Sequence, residues 1–289
     1  MTYTEQIFDY TKELLPGMYR ITVTENGKSE TLCVRNTSKT NDCYSVSKVF
    51  TVTALGMLFD EGKLDTNEKI VDIFSDRLSD IKDPKWNGVT LHMVMLHKWG
   101  IDEGFLDIDC EDISSFAEKY GERNDFLRIV LSHPLPMPLD DEEVYSDAAY
   151  YLLSRVVAKK AGEDMYGYLR KKLFNPLEFE ETAWSSCPMG YSMGATGLFI
   201  RTEDIAKLGQ LYIDKGMYRC RRILSEEWCD TVLHRGYELK KQNGCAYCKG
   251  GMYGQMLYID PGRGLSVAWE GYDEDGFASQ LTDFLGTLD

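Results

Sequence analysis

The chain has 289 residues, 43% hydrophobic and 12% aromatic, enough for one large domain or two lobes sharing a core. Its formal net charge of −15 argues against nucleic acid and anionic membrane surfaces as partners, because phosphate binding rests on basic patches. No apolar run approaches the ~18–20 residues of a membrane span.

The opening residues Met1-Thr2-Tyr3-Thr4-Glu5-Gln6 have neither a basic n-region nor an apolar h-region, and so do not read as a secretory signal. Residues 3–15 carry Ile7, Tyr10 and Leu14 at helical spacing, with Pro16-Gly17 as the stop. Strands follow at Tyr19–Val23 and Thr31–Val34, joined around Glu25-Asn26-Gly27, a good hairpin turn. From Ser45 to residue 61, Val46, Val49, Phe50, Val52, Leu55 and Leu58 are spread over nearly every face of a helix, and Gly62 ends it. A helix apolar all round is buried in the middle of a domain. Residues 62–190 are mostly helical, including Ala148–Ala161. Near the end, Tyr253–Ile259 and Leu265–Trp269 flank Asp260-Pro261-Gly262-Arg263-Gly264 as a second hairpin, and residues 275–287 form a short closing helix. Strands at both ends with helices between predict an α+β fold in a single domain. An antiparallel sheet flanked by helices would come from residues 1–61 and 190–289, and an all-helical lobe, 62–189, would be inserted.

The eight cysteines are scattered, as expected of reduced thiols in the cytoplasm. Cys245-Ala246-Tyr247-Cys248 lacks the second close pair that a structural zinc would want. His92 and His97 show no metal-ligand spacing and read as structural, so no metal is expected.

Tyr44-Ser45-Val46-Ser47-Lys48 carries the most chemistry. A Ser and a Lys three apart on a helix lie about one turn from each other, roughly 4.5 Å along the axis. The amine then reaches the hydroxyl and is a competent base for activating it. At a helix N-terminus, the dipole and N–H groups also favour the oxyanion formed on attack. Ser79-Asp80-Ile81-Lys82 fits the same S-x-x-K pattern, but sits in a charged stretch before Asp83-Pro84 that reads as surface loop. Read alone, the motif favours Ser45 as an N-cap and Lys48 as a snorkelling lysine. Two further segments stand out. Tyr145-Ser146-Asp147 precedes the helix Ala148–Ala161, with Asp147 readable as an N-cap, and Lys249-Gly250-Gly251-Met252-Tyr253-Gly254-Gln255 leads into the Met256–Ile259 run.

In order, these three resemble the S-x-x-K, Y-x-N and K-T-G or H-x-G motifs of the serine β-lactamase and penicillin-binding-protein superfamily, in its class C and esterase-like branch. The likeness runs on through Ser45–Val71, Val89–Gly100, Asn175–Glu178, Ala195–Ala206 and Lys249–Pro261, roughly 250 residues. The resemblance implies a β-lactamase-like fold and a two-step acyl transfer on a small-molecule substrate, with no metal or organic cofactor. Ser45 would be the nucleophile. Lys48 and Tyr145 would move protons, and the backbone N–H groups of Ser45 and Met252, beside Gly251, would hold the oxyanion. Lys249 would turn positive charge towards the substrate.

Two departures shape the expected chemistry. Asp147 stands where β-lactam-recognising members have Asn; a carboxylate cannot donate a hydrogen bond, and its charge would raise the Lys48 pKa. Gly250 stands where K-T-G enzymes have Thr, whose hydroxyl helps hold a substrate carboxylate. Both favour a small ester or amide over an anionic substrate. β-Lactamase or D-amino-peptidase activity is the alternative chemistry, and a catalytically silent sensor or binding module the alternative class. Lys98-Trp99 replaces the family's Thr-Ser. The acidic stretch 101–125 reads as a lid or a solvated face, and the oligomeric state is left open.

Overall fold

The computed structural model describes residues 1–13, 17–109, 113–120, 124–273 and 276–288. Leu14, Leu15, the Pro16 of the predicted Pro16-Gly17 stop, Cys110 and part of the acidic stretch lie outside the described residues. The helices that frame the site are α1 (Tyr3–Glu13), α2 (Ser47–Asp60), α3 (Asp147–Ala161), α4 (Thr202–Ile213) and α5 (Phe277–Thr287). The strands are β1 (Met18–Glu25), β2 (Lys28–Cys33), β3 (Asn41–Asp42), β4 (Leu198–Ile200), β5 (Lys240–Lys241), β6 (Tyr247–Gly250), β7 (Met256–Asp260) and β8 (Leu265–Gly271).

Two compact units emerge, one of Met1–Val49, Lys171–Ala183 and Leu198–Asp289, the other of Phe50–Arg170 and Trp184–Gly197. The sequence placed the crossings near residues 61 and 190; the chain instead passes from one unit to the other inside α2, between Val49 and Phe50. An all-apolar helix carries no surface face to mark such a passage.

The first unit holds an antiparallel sheet ordered β2-β1-β8-β7-β6-β5. The Asn26-Gly27 hairpin sets β1 against β2, with Arg20 opposite Cys33 and Glu25 opposite Lys28. β1 and β8 then join the two chain ends, Ile21 opposite Trp269 and Val23 opposite Val267. Both sheet faces are covered, which is why β1 is buried almost throughout instead of alternating. On one face Ile21, Val23, Tyr258, Val267 and Trp269 pack with Ile7 of α1 and Phe277, Leu281 and Leu285 of α5. On the other lies α4, where Thr22 Oγ1 meets Thr202 Oγ1 at 2.8 Å and Ser266 Oγ donates to Ala206 O at 3.0 Å. Gly209 permits that approach, since a Cβ there would stand 2.8 Å from the side chains of Ile259 and Leu257.

In the second unit α2 continues as Phe50–Asp60, with Phe50, Val52, Ala54, Leu55 and Leu58 fully buried. The buried Thr51 hydroxyl is satisfied by donating to Gly194 O at 2.7 Å. Helix α3 is buried from Asp147 to Ala158. Ser146, and not Asp147, is its N-cap, accepting from Ala148 N at 3.2 Å, and Gly162 ends it at φ 76°. Asp147 is the first helical residue, where a negative charge suits the dipole.

Candidate active site

In the first unit β3 pairs with β4, Asn41 opposite Ile200, and Cys43 N donates to Leu198 O at 3.0 Å. The Asp42 carboxylate then accepts from Tyr44 N at 2.8 Å and turns the backbone. Tyr44 takes φ 47°, a left-handed conformation rare for an aromatic residue. A single 3₁₀ turn, Tyr44–Val46, follows, so Ser45 sits one turn ahead of α2 and not on its first α-helical residue. Lys48, fully buried, places Nζ 3.0 Å from Ser45 Oγ as donor. The second S-x-x-K behaves differently: Lys82 Nζ bonds the backbone Ser79 O at 2.7 Å, at the exposed end of another 3₁₀ turn. Only the first pair joins amine to hydroxyl.

Strand β6 packs against the 3₁₀ turn that bears Ser45. Just beyond β6, Gly251 is hemmed in: a Cβ there would lie 2.8 Å from Cys43 O and from Gln255 Oε1. Its N–H donates to Gln255 O at 2.7 Å, so Gly251 contributes a close approach beside the nucleophile. The loop is pinned further by Tyr253 N to Gln255 Oε1 at 3.1 Å and Gln255 Nε2 to Gly271 O at 3.0 Å. Met252 and Tyr272 are exposed at its surface. Tyr253 stacks on Tyr272 at 4.6 Å and meets Tyr44 edge-on at 5.1 Å. The ammonium of Lys249 pairs with the carboxylate of Glu238, a residue that sequence reasoning passed over.

Behind β3 lies Glu270 of β8, fully buried, accepting from Asn41 Nδ2 at 3.0 Å. Burial pushes its carboxyl up to about 8. Arg20 stands opposite it in the β1–β8 register, yet Arg20 Nε and Nη1 and Glu270 Oε1 make no hydrogen bond. Burial, then the charges of Asp42 and Glu270, also raise the Cys43 thiol well above its ordinary value, which makes it a packing residue.

In the second unit Tyr145 is exposed and precedes the Ser146 cap. Ser146 Oγ donates to Phe105 O at 3.1 Å and accepts from Phe105 N at 3.2 Å, fixing the backbone on both sides. His97, buried at φ 58°, accepts from Ser146 N at 3.3 Å through Nδ1, and its ring centroid lies 4.6 Å from that of Tyr145. His97 is therefore structural, as its spacing indicates, but its task is to hold Tyr145; an isolated His in Leu96-His97-Lys98 gives no sign of that. The His97→Phe variant removes the acceptor while keeping a ring. If Tyr145 has the proton-transfer role that the resemblance implies, kcat is expected to fall about 10–100-fold with KM changed far less. A larger effect on KM than on kcat, read from steady-state kinetics, would contradict this role.

Trp99 is fully buried, its ring 5.4 Å from Trp86 and 5.9 Å from Phe105, and so belongs to the core of this unit. The carboxylates of Asp107, Asp109 and Asp147 lie within 4.8 Å of one another, the one grouping of metal-ligand type among the described residues. The Thr196 hydroxyl bonds Asp109. Hard cations accept such an oxygen set, but a carboxylate cluster alone does not make a site. Of the predicted site residues, Ser45, Lys48, Lys249, Gly251 and Met252 fall in the first unit, and Tyr145 and Asp147 in the second.

The sequence is similar to the N-acetylmuramyl-L-alanine amidase of Bacillus subtilis (strain 168), 24% identical over 237 residues, 65% of this chain and 53% of the relative. The chain thus spans about half the length of that protein. Among solved structures, a penicillin-binding protein homologue from Caulobacter crescentus superposes with a TM-score of 0.74 at 13% identity, over 98% of this chain and 96% of the other. A class C β-lactamase from Rhodobacter sphaeroides gives 0.69 at 16% identity, over 98% and 97%. At such identities the likeness establishes the fold, which is β-lactamase-like as the ordered motifs implied. A hydrolase assignment fits it. The Beta-lactamase family model matches residues 41–269, from the strand that leads into Ser45 to the one that carries Trp269, and the chain belongs to that family.

Proposed function

We propose that this protein is a serine hydrolase that turns over a small ester or amide through an acyl-enzyme on Ser45. The observation that carries the reading is the 3.0 Å contact between the buried Lys48 amine and Ser45 Oγ. Ser45 Oγ attacks the substrate carbonyl and its proton passes to Lys48 as an unprotonated amine. The tetrahedral oxyanion rests on the backbone N–H groups of Ser45 and Met252, each worth roughly 3–4 kcal/mol in comparable sites. Tyr145 relays the proton to the leaving group as the carbonyl reforms. Water then attacks the acyl-enzyme, gives up its proton along the same route, and releases the acid and free Ser45.

The β-lactamase, penicillin-binding and amidase names of the proteins it resembles support acyl transfer in general. β-Lactam or D-amino-peptide turnover is the second chemistry within this reading. The seven described cysteines are free thiols, which supports a reducing compartment, the cytoplasm. No helix among the described residues is long and apolar enough to cross a membrane.

A fluorophosphonate probe tests the nucleophile without knowledge of the substrate. Intact-mass and peptide analysis should place one adduct on Ser45 and none on the Ser45→Ala protein. An adduct on another residue, or equal labelling of the variant, would overturn the assignment.

A further inference from the structure

Lys249 is the cation that the third motif would offer a substrate, but its charge is already answered. Glu238, only 2% exposed, sets its carboxylate on the Lys249 ammonium, whose side chain is 11% exposed. The strand pairing builds this contact. Lys240 of β5 lies opposite Cys248 of β6, which brings Glu238, two residues upstream, alongside the end of β6 that holds Lys249. Glu238 itself takes φ 62° within a three-residue turn closed by Leu239 N to Tyr237 O at 2.8 Å. A non-glycine residue in that conformation is strained, and strain persists where the surroundings over-determine it. A glutamate held strained and buried against one lysine is an arranged partner, since neither charge is retained in a low-dielectric site without the other.

The rest of the unit's site has the same character. Gly250 brings no hydroxyl to hold a substrate carboxylate, and the surface beside the nucleophile is Met252 and the stacked pair Tyr253–Tyr272. We propose that Glu238 sets the charge selectivity of this site: by pairing with Lys249 it withholds the ammonium from substrate carboxylates, so that uncharged esters and amides are taken in preference to anionic ones. The inference rests on the serine-hydrolase reading for its turnover consequence; its binding consequence does not.

Two p-nitrophenyl esters sharing a leaving group test it, the neutral butyrate and the anionic hemisuccinate. The wild type should favour the butyrate. In Glu238→Gln the ratio of hemisuccinate to butyrate kcat/KM should rise about tenfold or more, the gain expected from freeing one charge-assisted contact. Added salt should shrink that gain, and Lys249→Met in the Glu238→Gln background should abolish it. Should Glu238→Gln fold poorly, Glu238→Asn keeps an amide on a residue that tolerates the left-handed conformation. Binding of benzoate against benzamide, followed by ligand-observed NMR, asks the same question without turnover: benzoate should gain affinity in the Glu238 variants and lose it with Lys249→Met. A gain in benzoate binding without hydrolysis of either ester would uphold the selectivity role and sink the hydrolase reading. An unchanged ester ratio or unchanged benzoate binding in a folded Glu238 variant would overturn the proposal.

Discussion

Replacing Lys48 by methionine should lower kcat on any ester substrate by about 10²–10⁴-fold while leaving the protein at least as stable as the wild type. The two halves of this expectation have one origin. Lys48 is fully buried with its amine 3.0 Å from Ser45 Oγ. A buried amine gains less from its surroundings than an apolar side chain of similar volume would, so methionine at this position is expected to be neutral or stabilising. In the proposed mechanism the substitution removes the proton acceptor for the attacking hydroxyl, and general-base assistance is worth about that range of rate. Thermal unfolding and steady-state kinetics on the same preparation check both halves. A Lys48→Met protein that retains kcat within a few-fold would remove Lys48 from the chemistry; one that unfolds tens of degrees early would make it a structural residue.

The second large effect is on stability and depends on pH. Glu270 has an ordinary value of 4.5, and burial raises it to about 8 in the folded protein. Between those values the folded chain holds a proton that the unfolded chain has released, so stability falls as pH rises across this window and levels off above it. The limiting slope is about 1.4 kcal/mol per pH unit. Glu270→Gln keeps the shape and cannot ionise, so its advantage over the wild type should be small near pH 5 and grow to the order of 2–4 kcal/mol near pH 8. Urea midpoints of both proteins at a series of pH values measure this difference directly. A difference that stays constant with pH would mean that Glu270 is ionised in the fold, its charge met by Arg20. The effect bears on function because Glu270 bonds Asn41, the first residue of the strand that runs into Tyr44 and Ser45.

What the sequence made legible was local. The S-x-x-K spacing put amine and hydroxyl within reach, and the reach is there. Asn26-Gly27 and Pro261-Gly262 announced hairpins that form with strands close to those expected. The fold class followed from strands at both chain ends, which β1 and β8 bring side by side. What stayed hidden depends on residues far apart in the chain or on backbone that tertiary structure imposes. Nothing in Cys43-Tyr44-Ser45 announces a left-handed tyrosine and a 3₁₀ turn before the helix; the Asp42 carboxylate bonded to Tyr44 N and the Leu198 pairing create them. His97 matters through the Ser146 N–H, which α3 delivers to it. Glu238 meets Lys249 only once β5 and β6 are in register. Asp147 is readable as an N-cap because it stands before an apolar run, but the helix already includes Asp147, and it is Ser146 Oγ that accepts from Ala148 N.

The most direct test of the account is the rate of p-nitrophenyl butyrate hydrolysis by the wild type and by Ser45→Ala, purified side by side. Turnover is expected from the wild type and only the buffer rate from the variant. Equal rates in both would mean that Ser45 does not carry the reaction, and would contradict the acyl-enzyme mechanism outright.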